Sequence, residues 1–358
     1  MTDPDRPEIT AAVVAFEGES DLRDCLRSLA ASTVPFAEVI VVDNASTDGT
    51  PEMVEREFPD VVLIRMPSND GPCTARNEGL RRARHRLVFQ VDQDVVVRPD
   101  CVARLLEVRE ERGAPAVVFP RAVDADRPDV VHYDGGSFHY AGVMALRHFY
   151  RPIGECADAV EEVDAFISLA ALVDRDVLLQ VGAYDPAFFI LFEDHDLSYR
   201  LRACGHRIVA VPDALVDHRA GTAGISFRGG PKYPPRRLFL HSRNRWLVVL
   251  KCYRLRTLVL TLPGVLLLGV AYVLFAWTQG ALKDYVKAKS SLLRLLPHVR
   301  AERRRLAPLR RTRDRELLGA PDLTFSPRIE RGKGGSLGER FLTGTLRAYW
   351  FLVRPFVG

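Results

Sequence analysis

Residues 38–58 read EVIVVDNASTDGTPEMVEREF, and this stretch decides the fold. Its opening is an apolar run rich in β-branched residues, suited to a strand buried on both faces. The run stops at Asp43. Ser46-Thr47-Asp48-Gly49-Thr50 then supplies turn and capping chemistry, and Pro51 stands near the first position of the helix PEMVEREF. The same grammar repeats on both sides. Before it, ITAAVVAF at 9–16 is a buried strand, followed by Leu22, Cys25, Leu26 and Leu29 at helical spacing. After it come a strand at 61–65, a helix from Asn77 to Ala83, and a strand from Leu87 to Val91 that runs into Asp92-Gln93-Asp94. Such alternation with short loops predicts an α/β fold, a mostly parallel sheet with helices on its faces. Ligands of such sheets bind beyond the carboxyl ends of the strands, so Asp43, Asp92 and Asp94 are expected to converge on one crevice.

The chain has 358 residues, of which 47% are hydrophobic and 27% charged. That balance supports a sizeable core and excludes a disordered or collagen-like protein. The net charge is +4, unevenly spread: from Gln279 onward there are 18 basic and 7 acidic residues, a net of +11. The preceding residues carry 32 basic against 39 acidic side chains, so an acidic body bears a basic tail. Six cysteines lie scattered without a C-x-x-C pair, which reads as reduced thiols rather than a disulfide framework or metal knuckle. The opening MTDPDRPEIT has neither the basic nor the apolar region of a signal peptide. Both features point to the cytoplasm.

Residues 163–185, VDAFISLAALVDRDVLLQVGAYD, read as strand then helix closed by Gly182, and 224–236 as a flexible loop. From Thr257 to Thr278 there is no charge, and Pro263-Gly264 interrupts the run. Its length matches a bilayer core, yet basic residues flank both ends, so an interfacial or re-entrant hairpin kinked near Pro263 is expected. A buried core helix is the competing account. The basic stretch AERRRLAPLRRTRDRE at 301–316 suits anionic headgroups, or is a solvated helix. It lacks interleaved aromatics, which argues against nucleic acid. The expected division is 1–250 as the α/β domain and 251–358 as a C-terminal membrane-associated helical region.

Asp92-x-Asp94 at a strand end offers two oxygens to a hard divalent cation whose other positions go to water and phosphates. About 100 residues later, Phe192-Glu193-Asp194-His195-Asp196 places four ionisable groups in a row, more than core packing explains. One carboxylate there is suited to general-base work on a hydroxyl; a helix N-terminus rich in acids is the structural alternative. His218 ends a further strand and suits a metal shell, or is structural.

Four segments carry a resemblance: EVIVVDNASTDGT, RMPSNDGPCTARNEGLRRA, LVFQVDQDVVV and DRDVLLQVGAYDPAFFILFEDHDLSYRLRACGHRIVAVPDALVDH. In order and spacing they resemble glycosyltransferase family 2, over about residues 9–250. The resemblance implies a GT-A, Rossmann-like fold. It implies that Asp43, Asn44, Asn69, Arg76 and Asp92 hold a nucleotide-sugar donor, that Asp92, Asp94 and His218 hold Mg²⁺ or Mn²⁺, and that Asp194 is the catalytic base with Glu193 beside it. The implied reaction is a single inverting displacement onto a lipid-linked glycan or polysaccharide, resembling rhamnosyl and polysaccharide-type transferases, at the cytoplasmic face of the membrane. Arg243-Asn244-Arg245 resembles a step that precedes membrane-proximal helices in such relatives. A polyprenyl-phosphate sugar synthase and a catalytically silent GT-A scaffold are the alternatives; Asp92, Asp94 and Asp194 standing together argue against decay. Three departures are visible. Phe16-Glu17 replaces an aromatic–Asn step, which bears on one nucleotide contact, Gln93 stands where many relatives have Asp, and His195 stands at a position that is often apolar.

Overall fold

The computed structural model describes residues 7–219, 225, 233–325 and 335–358, so most of the loop read at 224–236 lies outside the described residues. Along the chain run β1 (Ile9–Ala15), α1 (Glu19–Ala30), β2 (Glu38–Asp43), α2 (Thr50–Glu57), β3 (Val62–Arg65), α3 (Pro72–Arg82), β4 (Leu87–Asp92), β5 (Val95–Val97), α4 (Cys101–Glu111), β6 (Val117–Asp124) and β7 (Arg127–Tyr133). A short hairpin follows, β8 (Gly136–His139) with β9 (Val143–Leu146), then β10 (Glu161–Val163), β11 (Ala170–Asp174), α5 (Arg175–Gln180), α6 (Glu193–Ala203) and β12 (Ile208–His218). The rest is mainly helical: α7 (Pro235–Cys252), α8 (Leu255–Thr278), α9 (Leu282–Arg294), α10 (Leu296–Leu306), α11 (Asp314–Leu317), the two-residue β13 (Leu318–Gly319) and α12 (Gly335–Val353).

These elements form two compact units, and the chain enters each more than once. The first comprises 1–135, 148–190 and 206–220; the second comprises 136–147, 191–205 and 221–358. The hairpin β8–β9 and helix α6 therefore fold with the C-terminal helices, not with the large sheet.

The first unit is built on one sheet of order β10-β12-β6-β11-β4-β1-β2-β3, with β5 added on β12 and β7 on β6. Pairing is parallel across β4, β1, β2 and β3 and between β6 and β12; β11 is inserted antiparallel between β4 and β6. As expected for strands covered on both faces, β1, β2 and β4 are buried almost throughout. Register fixes the chemistry at their ends. Ala15 pairs with Asp43 and Val14 with Asp92, so both acids end strands flanking β1, two strand spacings or about 10 Å apart. Helix α3 starts at Pro72 rather than Asn77, because Gly71 takes φ +87° and Pro72 provides the pre-set first helical position. It settles closely on the sheet at Gly79, where a Cβ would stand 3.3 Å from the Ala12 side chain.

The second unit surrounds a small sheet of order β13-β8-β9 with helices. α8 is one unbroken helix through Pro263, not a hairpin kinked there. Side-chain hydrogen bonds flank the proline: Thr261 Oγ1 donates to Thr257 O at 2.8 Å, and Tyr349 Oη to Leu260 O at 2.7 Å. The chain reverses instead at Gly280, φ +66°, where Ala281 N–H reaches back to Ala276 O at 2.8 Å and closes the helix. Several arginines of the basic stretch turn inward. Arg303 donates to Leu250 O and Tyr253 O at 2.6 and 2.5 Å, and Arg310 to Cys252 O at 2.6 Å, capping the exposed carbonyls at the end of α7. All six cysteines are buried, and no disulfide occurs among the described residues.

Candidate active site

The rim of the sheet gathers seven predicted residues from strand ends, from the turns after them and from helix α3. Asp43 is 2% exposed; its Oδ2 accepts from Ser46 N–H at 3.2 Å, while Oδ1 has no hydrogen-bond partner among the described residues. Next to it, Asn44 Nδ2 donates to Asn69 Oδ1 at 2.9 Å, and that oxygen also receives Gly71 N–H at 3.1 Å. A buried carboxylate oxygen without a donor is costly unless something arrives to satisfy it. An N–H on the edge of a nucleobase is one such group.

Arg76 and Asp92 form the next layer. Arg76, 6% exposed, gives both Asp92 oxygens a hydrogen bond from Nη2, at 2.8 and 2.9 Å. Burial pushes the Asp92 carboxyl up to about 6, with Arg76 opposing the rise and Asp94 adding to it. Its side chain is 27% exposed, so water tempers that rise. The pair presents a partly shielded cation and a carboxylate side by side.

Asp94 and His218 meet because β5 pairs Val95 with His218 across β12, while Arg219 N–H donates to Asp94 O at 2.9 Å. The His218 Nε2 lies 3.4 Å from Asp94 Oδ2. Behind it, His218 Nδ1 is 2.9 Å from His132 Nδ1, and His132 Nε2 is 3.4 Å from Tyr150 Oη. One nitrogen of the close pair carries the proton and the other accepts it, so His132 fixes the orientation of the His218 ring. No three His, Cys, Asp or Glu side chains converge as a metal cage among the described residues. Two oxygen and nitrogen donors facing one another are an open half-site. That fits Mg²⁺ or Mn²⁺, which keep most positions for phosphate and water.

Gln93 explains its own departure from the acidic pattern. Its Oε1 accepts Phe16 N–H at 2.8 Å and its Nε2 donates to Phe16 O at 2.9 Å. An aspartate at this position has no donor for the carbonyl, so the amide stitches the end of β1 to the turn after β4. Glu17, at φ +42°, turns away to accept from Thr47 Oγ1 at 2.8 Å.

The predicted base lies in the second unit. Leu191 and Phe192 both adopt positive φ, 70° and 71°, and α6 begins directly after them. Asn244 Nδ2 donates to Leu191 O at 2.7 Å and holds this strained turn. Glu193, Asp194 and Asp196 occupy the first turn of α6, where the helix dipole favours negative charge. The four ionisable groups then separate. Asp194 is half-buried, whereas Asp196 is fully buried with Arg200 Nη2 at 2.6 Å and Lys251 Nζ at 3.0 Å. His195 stacks on Phe138 at 5.1 Å, neither ring nitrogen has a partner among the described residues, and burial pulls it down to about 4. His195 and Asp196 are thus core groups, contrary to the expectation that the whole run stands outside packing.

Residues 10–155 match the family model described as glycosyl transferase family 2. That stretch is similar to glycosyltransferase family 2. The chain is 36% identical over 228 residues to the succinoglycan biosynthesis protein ExoO of Rhizobium meliloti, covering 58% of this chain and 59% of that protein. It is 26% identical over 242 residues to the N-acetylglucosaminyl-diphospho-decaprenol L-rhamnosyltransferase of Mycobacterium tuberculosis, covering 60% of this chain and 78% of that protein. The chain thus spans under two thirds of the length of the succinoglycan protein. Among solved structures, GalNAc-T7 with UDP, GalNAc and Mn²⁺ aligns with TM-score 0.55 at 17% identity, over 74% of this chain and 52% of that one. The mannosyltransferase PcManGT from Pyrobaculum calidifontis, in complex with GDP-Man and Mn²⁺, aligns with TM-score 0.50 at 20% identity, covering 86% of each chain. These likenesses show a GT-A-like fold.

Proposed function

We propose that this chain transfers a sugar from a nucleoside-diphosphate donor to a hydroxyl of a lipid-linked glycan or growing polysaccharide, with inversion, at the cytoplasmic face of a membrane. The observation that carries this reading is the sheet rim, where the Asp43 oxygen without a partner among the described residues, the Arg76–Asp92 pair and the Asp94–His218 half-site lie at strand ends of one sheet. The relatives named for succinoglycan biosynthesis and for rhamnosyl transfer to a lipid diphosphate support the acceptor class.

In this mechanism Asp43 and Asn44 receive the base of the donor, and Arg76 with Asp92 meets its ribose and phosphates. Asp94 and His218 would hold Mg²⁺ or Mn²⁺, which when bound supplies positive charge against the departing diphosphate. Asp194 removes the proton from the acceptor hydroxyl as it attacks the anomeric carbon from the opposite face. One displacement inverts the centre without a covalent enzyme intermediate. A polyprenyl-phosphate synthase needs cationic groups for the lipid phosphate, and the inward turn of Arg303 and Arg310 leaves fewer of them for that task.

The test is a panel of UDP-, GDP- and dTDP-sugars, scored first for Mn²⁺-dependent thermal stabilisation and then for transfer. The expected result is stabilisation by one nucleotide class and a product of inverted anomeric configuration. Retention at the anomeric carbon, or stabilisation by none of the donors, defeats the reading.

A further inference from the structure

α8 has the length to cross a bilayer, since 24 residues rise roughly 36 Å. Its two sides show how it can meet one. The inner side is pinned to charged protein along its middle. Gly264 lies so near Tyr140 that a Cβ there would stand 2.4 Å from its ring. Arg245, 1% exposed, donates from its guanidinium to Val265 O at 3.2 Å and to Ala141 O at 2.7 Å. Tyr272 Oη lies 2.9 Å from His241 Nδ1. Arg245 and His241 belong to α7, which also carries Lys251, ion-paired with buried Asp196 at 3.0 Å. A crossing α8 would drag this charged scaffold into hydrocarbon, where ionised groups are expensive.

The outer side is apolar from end to end. Leu255, Val259, Leu266, Val270 and Trp277 recur on one helical stripe, each at least 50% exposed. α12 runs antiparallel beside it. Leu346 O accepts from Tyr140 Oη at 2.9 Å, Tyr349 reaches Leu260, and Gly358 O accepts from Thr257 Oγ1 at 3.3 Å. α12 adds exposed Phe341 and Phe351, and Phe356, in the turn just after it, lines one shallow groove together with Leu255, Arg256 and Val259. The α8 stripe and the end of the chain after α12 thus meet in one apolar surface, the deck, at Leu255, Val259 and Phe356.

The charges at its ends choose the occupant. Arg254 and Arg256 are exposed at one end of α8, Lys283 and Lys287 beyond the other, and Asp284 is the only acid from Leu255 to Arg294. A second copy laid on this stripe, parallel or antiparallel, would oppose basic ends with basic ends. Anionic headgroups complement both ends at once. The stripe also offers no polar side chains for the hydrogen bonds a protein interface usually carries.

We propose that α8 and α12 dock this chain in the plane of an anionic bilayer, with α8 lying along the boundary of headgroups and acyl chains and not crossing it. The proposal rests on the membrane-facing reading of the acceptor. Its test uses the full chain and vesicles of phosphatidylcholine with about one third phosphatidylglycerol, and needs no turnover. The wild type is expected to co-sediment, with Trp277 fluorescence quenched by brominated acyl chains. V259E/V270E is expected to lose at least tenfold in vesicle affinity while keeping its melting temperature and its stabilisation by donor. In sealed vesicles, R254C and Q279C are expected to react equally with an impermeant maleimide added outside. Protection of one of these two cysteines shows a crossing helix and overturns the proposal. So does a wild type that stays off the vesicles but forms dimers that V259E/V270E dissociates. Vesicle binding without any sugar transfer leaves the deck standing and removes only the transferase reading.

Discussion

On the rim of the sheet, Asp43 keeps a buried oxygen without a partner among the described residues, and Asp94 faces His218 across 3.4 Å. At the start of α6, Asp196 is gripped by Arg200 and Lys251 at 2.6 and 3.0 Å in a fully buried cluster. These are the same side chain in acid-rich motifs that look alike on paper. The difference lies in the backbone beneath them. Strand ends release their side chains into a crevice, whereas a helix rotates successive residues by about 100°, so a run of four is spread around the helix and here only Asp194 faces partly outward, Glu193 being buried too. In E-D-H-D the second residue is half-buried, and the third and fourth are swallowed.

The largest expected effect separates the two kinds of acid by activity. D194N and D94N should each lower transfer by roughly 10²–10⁴-fold, the range of a lost general base or charge stabiliser. Only D94N should also remove Mn²⁺-dependent stabilisation, and near-normal turnover by D194N moves the base elsewhere. Stability should rank the pair the other way. D196N strands Lys251 and Arg200 as buried charges and should cost about 3–5 kcal/mol in denaturant unfolding, with D94N nearly silent in the same assay. Equal costs for both would erase the distinction between rim and core.

Smaller effects sharpen the rim itself. H132F removes the hydrogen bond behind His218 and should weaken Mn²⁺ binding by roughly 10–100-fold, read by titration calorimetry, with folding retained. An unchanged affinity would show that Asp94 alone orients the site. The smallest effect belongs to the helical unit. Burial pulls the Lys289 ammonium from 10.5 down to about 7, below its unfolded value, so the fold disfavours its charged form. Between about pH 7 and 10.5 the unfolded chain binds that proton and the native one does not, so stability should rise with pH through that window. K289M should flatten the slope, as measured by urea melts across that range.

How much of this could be read from sequence follows from the range of each interaction. β1 to β4 and their acids were legible because periodicity, turn residues and strand length are local signals. The helix N-terminus at Glu193 was weighed as an alternative, and it is what the backbone forms there. His132 gave no signal, since its value comes from facing His218 across 86 residues of chain. The inward arginines of the tail were equally invisible, because a basic stretch looks the same whether its guanidinium groups reach headgroups or helix carbonyls. Gln93 was seen as a departure, and only its two bonds to Phe16 show why an amide stands there.

The interleaved path of the chain carries a practical consequence. Tyr199 of α6 donates to Asp314 Oδ1 at 2.9 Å, Arg202 O accepts Thr312 Oγ1 at 3.0 Å, and β8 pairs with β13. The segment bearing Asp194 thus borrows its foundations from residues more than a hundred positions downstream. Trimming the protein to the portion shared with its relatives would not leave α6 on its present support. It would remove the floor under α6, so anyone seeking a soluble form should recolour the deck one residue at a time and leave the length intact.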